Sequence, residues 1–332
     1  MGWRPAGAAP ADESDGADVH CAARARKLCG VTGLTTDLPG GAPQGDALRV
    51  LWERRGRHTL VAGGWVWARH RGPVYAPLAP EARLDGPVVA LDAMLREARV
   101  PAVRVPVADP LADAGAYVLD LRGYALRSLS RSARRNVVRG LEGCVIRRLE
   151  PQELGRLGLL ANQDTLRRQR RSDPEFGEAR GWARFVASLQ GVPELRVHAA
   201  FVDDVLATWT LSSREGPWLR LLWKFGRSHL RGHHADHALD FRVLSEAAAE
   251  PGLVHAVDGH TATLGDVGLD QYKRSHGFRV EPHRKVTRFH PWLAPLTRSR
   301  PALAAVRGLR RMLPEETRLA LGERLMAEQD PL

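Results

Sequence analysis

The order of apolar runs in this 332-residue chain predicts an α/β fold with a mixed, mostly antiparallel sheet flanked by helices. Three observations carry that expectation. From Tyr117 onwards the apolar spacing switches repeatedly between period 2 and period 3.6, in the order strand, helix, strand, two helices, three strands, helix, strand, helix, strand. Asp203-Asp204 stands between two β-type runs as a hairpin turn, which makes its flanking strands antiparallel. Hydrophobic residues make up 44% of the chain, enough for a buried core, yet no window reaches the roughly 18 uninterrupted apolar residues of a membrane span.

Residues 1–46 are rich in Gly, Pro and Asp and read as an irregular N-terminal tail. A reduced α/β half-domain is expected over 47–115. Arg49 to Arg54 reads as a strand, as do His58 to Ala62 and Trp65 to Ala68 around Gly63-Gly64. Val88 to Arg99 has the spacing of a short amphipathic helix, and Ala102 to Val107 of a strand.

A second, larger domain is expected over 116–290. Tyr117 to Leu121 is a strand, and Ser128 to Leu141 a helix that turns Val137, Val138 and Leu141 to the core. Cys144 to Leu149 is a strand. Pro151 opens a helix to Arg171 with Leu154, Leu157 and Leu160 as its buried stripe. Ala179 to Leu189 follows as a helix burying Trp182, Phe185 and Leu189. Glu194 to Val202 and Val205 to Ser212 form the hairpin. Trp218 to Phe225 alternates, with Trp218, Arg220, Leu222 and Lys224 on one face and Leu219, Leu221, Trp223 and Phe225 on the other. Gly226 to His234 is a basic loop, Ala235 to Ala249 a helix, and Leu253 to Asp258 a mostly apolar strand. Leu269 to His276 is a helix closed by Gly277 at the position that needs a left-handed backbone, and Phe278 to Phe289 is strand. In 291–332, Leu303 to Leu313 and Glu315 to Met326 read as basic amphipathic helices; the first has the pattern for peripheral contact with an anionic membrane, and docking on its own domain is the preferred reading.

The formal charge is +11, almost all from arginine; lysine occurs only at Lys27, Lys224, Lys273 and Lys285. Such an excess favours anionic partners: a pyrophosphate, a nucleotide-linked donor, tRNA or an acidic membrane face. Cys21, Cys29 and Cys144 are odd in number and lack framework spacing, which argues against a disulfide scaffold. The first residues show no basic-then-apolar leader pattern, so the expected location is cytoplasmic.

Four local patterns stand out in the second domain. Ser128-Leu129-Ser130-Arg131-Ser132-Ala133-Arg134-Arg135-Asn136 resembles the Ser-x-Lys-x-Arg-Arg-Asn-type entry helix of FemAB-like acyltransferases, a branch of the GNAT type. Thr165-Leu166-Arg167-Arg168 is similar to a Thr-x-x-Arg helix end, and Val257-Asp258-Gly259 to a Tyr-Asp-x-Gly strand end. Gly268 to Phe278, with Tyr272-Lys273 at its centre, resembles the Leu-x-x-Phe-Lys-x-x-Phe-Gly-type closing motif. The resemblance spans Tyr117 to Phe278 and implies a GNAT-like sheet, with 47–115 as a reduced first GNAT-like unit. It implies acyltransferase activity, N-acyl or aminoacyl transfer to an amine or hydroxyl of a cell-envelope, sugar-nucleotide or secondary-metabolite acceptor. The helical arm such enzymes often insert for tRNA is not expected between the two units or within the second, so acyl-CoA, acetyl-CoA for example, is the expected donor and aminoacyl-tRNA the alternative.

Acyl transfer to an amine needs oxyanion stabilisation and a proton relay. The candidate catalytic residues are Lys273, as the cation for the oxyanion, and Asp258, which can accept a proton or orient the acceptor; a surface lysine and an Asp-Gly turn are the plainer readings. Tyr272 matches the aromatic partner of the lysine. Arg231 and Gly232 lie before a helix N-terminus, where GNAT enzymes hold pyrophosphate on backbone N–H groups. The usual Arg/Gln-x-x-Gly-x-Gly/Ala pattern is imperfect there, with His229 and His234 at two of its positions. Lys224, Trp223 and Arg167 complete the expected substrate-binding set. His233 and His237 are four apart, but no Glu accompanies them as in His-Glu-x-x-His, and no metal is expected. A small-molecule acyl donor and an anionic acceptor are the expected partners, with tRNA as the alternative partner. A catalytically inactive GNAT-like module that binds nucleic acid or an anionic surface is the alternative function.

Overall fold

The computed structural model describes residues 45–71, 74–84, 90–112, 115–261 and 267–293. The expected helices at 303–313 and 315–326, and most of the expected N-terminal tail, lie outside the described residues.

The chain begins with α1 (Asp46–Arg54), then β1 (Thr59–Ala62), β2 (Trp65–Arg71), β3 (Val74–Pro77), α2 (Ala90–Ala98) and β4 (Ala102–Ala108). The expected strand at Arg49 to Arg54 is therefore a helix. Ala47, Leu48 and Leu51 share one helical face and are buried, and that tertiary contact overrides the β-type residues of the run. The α1 N-terminus is anchored from afar: Glu215 accepts from the Ala47 and Leu48 amides at 2.5 and 3.3 Å.

After β5 (Gly115–Asp120) come α3 (Arg131–Gly143), β6 (Val145–Leu149), α4 (Pro151–Leu157), α5 (Leu159–Arg168), α6 (Pro174–Gly177) and α7 (Ala179–Ser188). Then follow β7 (Leu195–Val202), β8 (Val205–Glu215), β9 (Trp218–Gly226), α8 (Ala235–Ala248), β10 (His255–His260), α9 (Val267–Ser275) and β11 (Arg279–Phe289). The eleven strands form one sheet in the order β1-β2-β3-β4-β11-β5-β10-β9-β8-β7-β6, parallel only at β3–β4 and β9–β10. β11 joins the two halves, pairing with β5 through Arg279–Pro282 and with β4 through His283–Phe289.

The hairpin forms as expected: Asp203 and Asp204 both take positive φ, 48° and 61°, the geometry of a two-residue turn. Three expectations fail for packing reasons. The helix begun at Pro151 is interrupted at Gly158, where a Cβ would meet Trp182 Cζ2 at 2.7 Å; Leu160, beyond the break, is exposed. In α3, Val138 and Leu141 are exposed, while Ala133, Val137 and Gly140 are buried. Gly140 explains this, because a Cβ there would meet the His234 carbonyl at 2.6 Å: α3 and α8 approach along the glycine face.

The single alternation expected along β9 also breaks. Leu211 pairs with Trp223 and Ser212 with Leu221, so Leu222 is the extra residue of a β-bulge. Leu219 and Leu221 join the core under α3 and α8, whereas Trp223 and Phe225 join the opposite core with α1 and α4–α7. The bulge sends Arg220 and Lys224 to opposite faces: Arg220 pairs with Glu81 and Glu215, and Lys224 reaches α8.

The candidate active-site cleft

β9 and β10 are hydrogen-bonded neighbours for only three residue pairs, Trp218–Arg220 against His255–Val257. Beyond them β9 runs on to Gly226 and β10 to His260 without pairing with each other. The gap follows from local chemistry on both strands. β9 bulges at Leu222, and β10 slips against β5 between Val257 and His260, with Gly259 at φ 66°. Asp258-Gly259 is therefore a bulge inside a strand rather than the strand's end. A small pocket occupies the gap, lined by Thr210, Leu221, Leu222, Trp223, Lys224, Asp240 and Asp258.

Two lysines converge here. Lys224 Nζ donates to Asp240 Oδ2 at 2.6 Å and lies 4.6 Å over the Tyr272 ring. Burial alone would lower this ammonium's pKa, but Asp240, then Asp236 and Asp258, outweigh it and hold the value above that of an ordinary lysine. Lys273 is buried. Its Nζ donates to the Asp258 carbonyl, lies 3.2 Å from Asp258 Oδ1 and sits 4.4 Å over the Tyr117 ring. Burial pushes it below the ordinary lysine value, with Asp258 opposing the shift. Asp258 is the partly exposed member of that pair, at 22% against 7% for the Lys273 side chain.

α9 delivers Tyr272 and Lys273 together, and Gly277 closes the helix at φ 93° as the sequence requires. The Tyr272 hydroxyl donates to Asp240 Oδ2 (2.8 Å) and contacts the Asp236 carbonyl (3.1 Å); burial and then Asp240 push its pKa well up. Its ring packs 4.8 Å from each of His237 and His276. His237 Nδ1 and His276 Nε2 are 2.9 Å apart, and Asn136 Nδ2 lies 3.4 Å from His237 Nε2. Burial pushes both imidazoles down, His276 to about 4, so they are neutral at physiological pH.

The remaining candidates are dispersed. Arg231 and Gly232 lie exposed in a 3₁₀ turn, Ser228–His233, where an irregular loop is expected; the residue with a left-handed backbone is His234, at φ 55°. Arg167 is exposed at the end of α5. That helix end is tied to the same turn by Thr165 Oγ1, which donates to Gly226 O and accepts from Gly226 N, both at 2.9 Å, and by Asp164, which accepts from the Ser228 amide at 2.9 Å. Trp223 lines the pocket but also stacks on Trp52 at 5.6 Å in the opposite core. His233 is exposed in the turn while His237 faces His276, and among the described residues no group of three metal-ligating side chains occurs.

Asp240, His276 and Asn136 are the functional candidates that sequence reasoning missed, and His237 enters it only as a candidate metal ligand beside His233. A signal was present for Asp240: Asp236 and Asp240 lie one helical turn apart on the helix Ala235–Ala248, and Asp240 is flanked directly by the apolar Leu239 and Phe241. Its partner, Lys224, is just as conspicuous in an apolar strand.

No protein-family model matches this sequence, and no curated protein matches it. Solved structures do. FemX superposes with a TM-score of 0.56 at 10% identity, covering 80% of this chain and 95% of that one. A conserved protein of unknown function from Bacteroides thetaiotaomicron gives 0.52 at 10% identity, over 79% and 96%. The C-terminal domain of a lysylphosphatidylglycerol synthetase from Agrobacterium fabrum gives 0.50 at 12% identity, over 81% and 92%. The fold is GNAT-type and FemAB-like, a large, mostly antiparallel open sheet flanked by helices. Among the described residues no helix is long and apolar enough to cross a membrane.

Proposed function

We propose that this protein is an acyltransferase that works in the gap between β9 and β10, moving an acyl or aminoacyl group onto an amine or hydroxyl. The observation that carries this reading is the convergence, where two parallel strands part, of a partly exposed carboxylate, Asp258, with the ammonium of Lys224. Acyl transfer needs those two groups side by side, a proton acceptor for the nucleophile and a fixed positive charge for the oxyanion.

Asp258 takes the proton as the acceptor nitrogen or oxygen attacks the donor carbonyl. Lys224 faces the oxyanion that develops. As the new bond to carbon forms, the bond from that carbon to the donor's sulfur or oxygen breaks, and the proton passes to that leaving atom. The oxyanion role expected of Lys273 passes to Lys224 in this reading, because the Lys273 ammonium is committed to Asp258 and the Tyr117 ring. Lys273 positions Asp258. The turn with Arg231 and Gly232, together with Arg167, gathers positive charge beside the α8 N-terminus and suits the phosphates of an acyl-CoA or an aminoacyl-tRNA. The likeness to a lysylphosphatidylglycerol synthetase domain adds a lipid hydroxyl to the acceptors for assay.

The test has two stages. Melting is followed with acetyl-CoA, longer acyl-CoAs, tRNA and aminoacyl-tRNA; a donor that binds only the folded protein raises the midpoint. Transfer from the stabilising donor is then assayed across amine and hydroxyl acceptors. Loss of transfer in Asp258→Asn, with donor binding intact, supports the assignment. A protein that binds tRNA or anionic vesicles with a steep salt dependence, and consumes no donor, is instead a binding module.

A further inference from the structure

Lys224 is a flexible side chain on a strand, and its amine has work to do only if it stays in one place. Three contacts keep it there: Asp240 Oδ2 at 2.6 Å, the Tyr272 hydroxyl at 3.4 Å and the Tyr272 ring at 4.6 Å. The first matters most. Asp240 is a buried carboxylate on α8, the helix that contributes Leu239, Val243 and Leu244 to an apolar core. An acid there gives little net stability, because a buried ion pair roughly breaks even with an apolar pair of the same shape. Its Oδ1 has no hydrogen-bond partner among the described groups, a further cost that packing does not explain. What the carboxylate does have is an over-determined position. Tyr272 donates to the same oxygen that Lys224 uses, Tyr272 is wedged against His237 and His276, and α8 is pressed on α3 at Gly140.

We propose that Asp240 is a positioning residue, a buried carboxylate that acts with the Tyr272 hydroxyl to fix the Lys224 ammonium at the opening between β9 and β10. The proposal rests on the reading of Lys224 as the oxyanion's partner. It adds that the cation is pre-set by a buried group that acts through Lys224. Electrostatic catalysis requires this, because a charge that must reorganise during the reaction loses most of its effect. The charged and titratable groups around Lys224 are Asp236, His237 and Asp240 from α8, Asp258 from β10, Tyr272 and Lys273 from α9, and His276 from the turn that follows it.

The chain has four lysines, so lysine labelled with ¹³C at Cε gives a simple spectrum in which each side chain titrates separately. Lys224→Met assigns the Lys224 signal. In Asp240→Asn the Lys224 midpoint falls, since burial then acts without its main opposing charge. An unchanged midpoint overturns the proposal. Once a transferred group is known, Asp240→Asn lowers kcat by about 10- to 100-fold with KM little changed. Asp240→Glu recovers part of the loss, and Asp240→Asn adds nothing in the Lys224→Met background. Independent, multiplying losses in the double variant, or a loss confined to KM, overturn it as well. If Asp240→Asn does not fold, Tyr272→Phe weakens the same clamp without leaving a bare charge, and a smaller fall in both midpoint and kcat is expected; no change in either overturns the proposal. A protein that transfers no acyl group from any donor, yet shows the Asp240→Asn shift, overturns the functional reading and leaves the clamp standing.

Discussion

Lys273 and Asp258, fifteen residues apart in sequence, meet across the α9–β10 interface with Nζ and Oδ1 3.2 Å apart, and the Tyr117 ring lies under the ammonium at 4.4 Å. The lysine is buried and the aspartate partly exposed, so the pair presents its carboxylate to the cleft and hides its cation.

This asymmetry predicts unequal effects of substitution. Lys273→Met removes the charge that aligns Asp258, and transfer falls by about 100-fold. Lys273→Arg does not restore it, because a guanidinium does not fit a site closed by Tyr117. Rates measured beside melting curves check this; full activity in both variants removes Lys273 from the mechanism.

Arg220 is buried with Glu81 and Glu215 as partners, and Glu215 also holds the α1 amides. Arg220→Met strands two carboxylates in the interior and costs about 3–5 kcal/mol. Denaturant unfolding of the variant, at constant m-value, measures the loss.

Acid stability should be governed by buried histidines. Burial holds His276 and His283 neutral down to about 4, against an ordinary value of 6.5. Below about pH 6.5 the unfolded chain takes up protons that the folded one refuses, so stability is whole above that value and falls as pH drops towards 4. For His276 the full loss is about 3 kcal/mol. His276→Phe flattens the fall in melting temperature between pH 6.5 and 4 if this linkage is correct.

Gly140 sets the distance between α3 and α8. Gly140→Ala places a methyl 2.6 Å from the His234 carbonyl and 2.8 Å from the Ala238 Cβ, both on rigid backbone. A loss of about 1–3 kcal/mol is expected, as for overpacking elsewhere. The helix that moves is the one carrying Asp240, so the Lys224 titration shifts along with the melting point.

The order of elements from Tyr117 to Phe289, the Asp203-Asp204 turn and the glycine closure of α9 were legible because each is a local matter of period or of backbone freedom. The Tyr272-Lys273 and Asp258-Gly259 pairs stood out for the same reason, their patterns being short. Other features were decided by contacts far away in sequence. Arg49 to Arg54 has β-type residues but finds a core that buries Leu48 and Leu51, and so it is helical. Val138 and Leu141 are apolar yet face outwards, because Gly140 permits the closer approach.

What the sequence determined by itself is a GNAT-type run of strands and helices with basic and acidic residues at its punctuation. The tertiary structure decided which of these residues meet. The one-residue bulge at Leu222 turns Lys224 from the face of Arg220 to the face of α8, where Asp240 and Tyr272 await it. Period-2 reasoning cannot foresee that turn. A bulge is fixed by the pairing of β9 with β8, and the pairing is a property of both strands together.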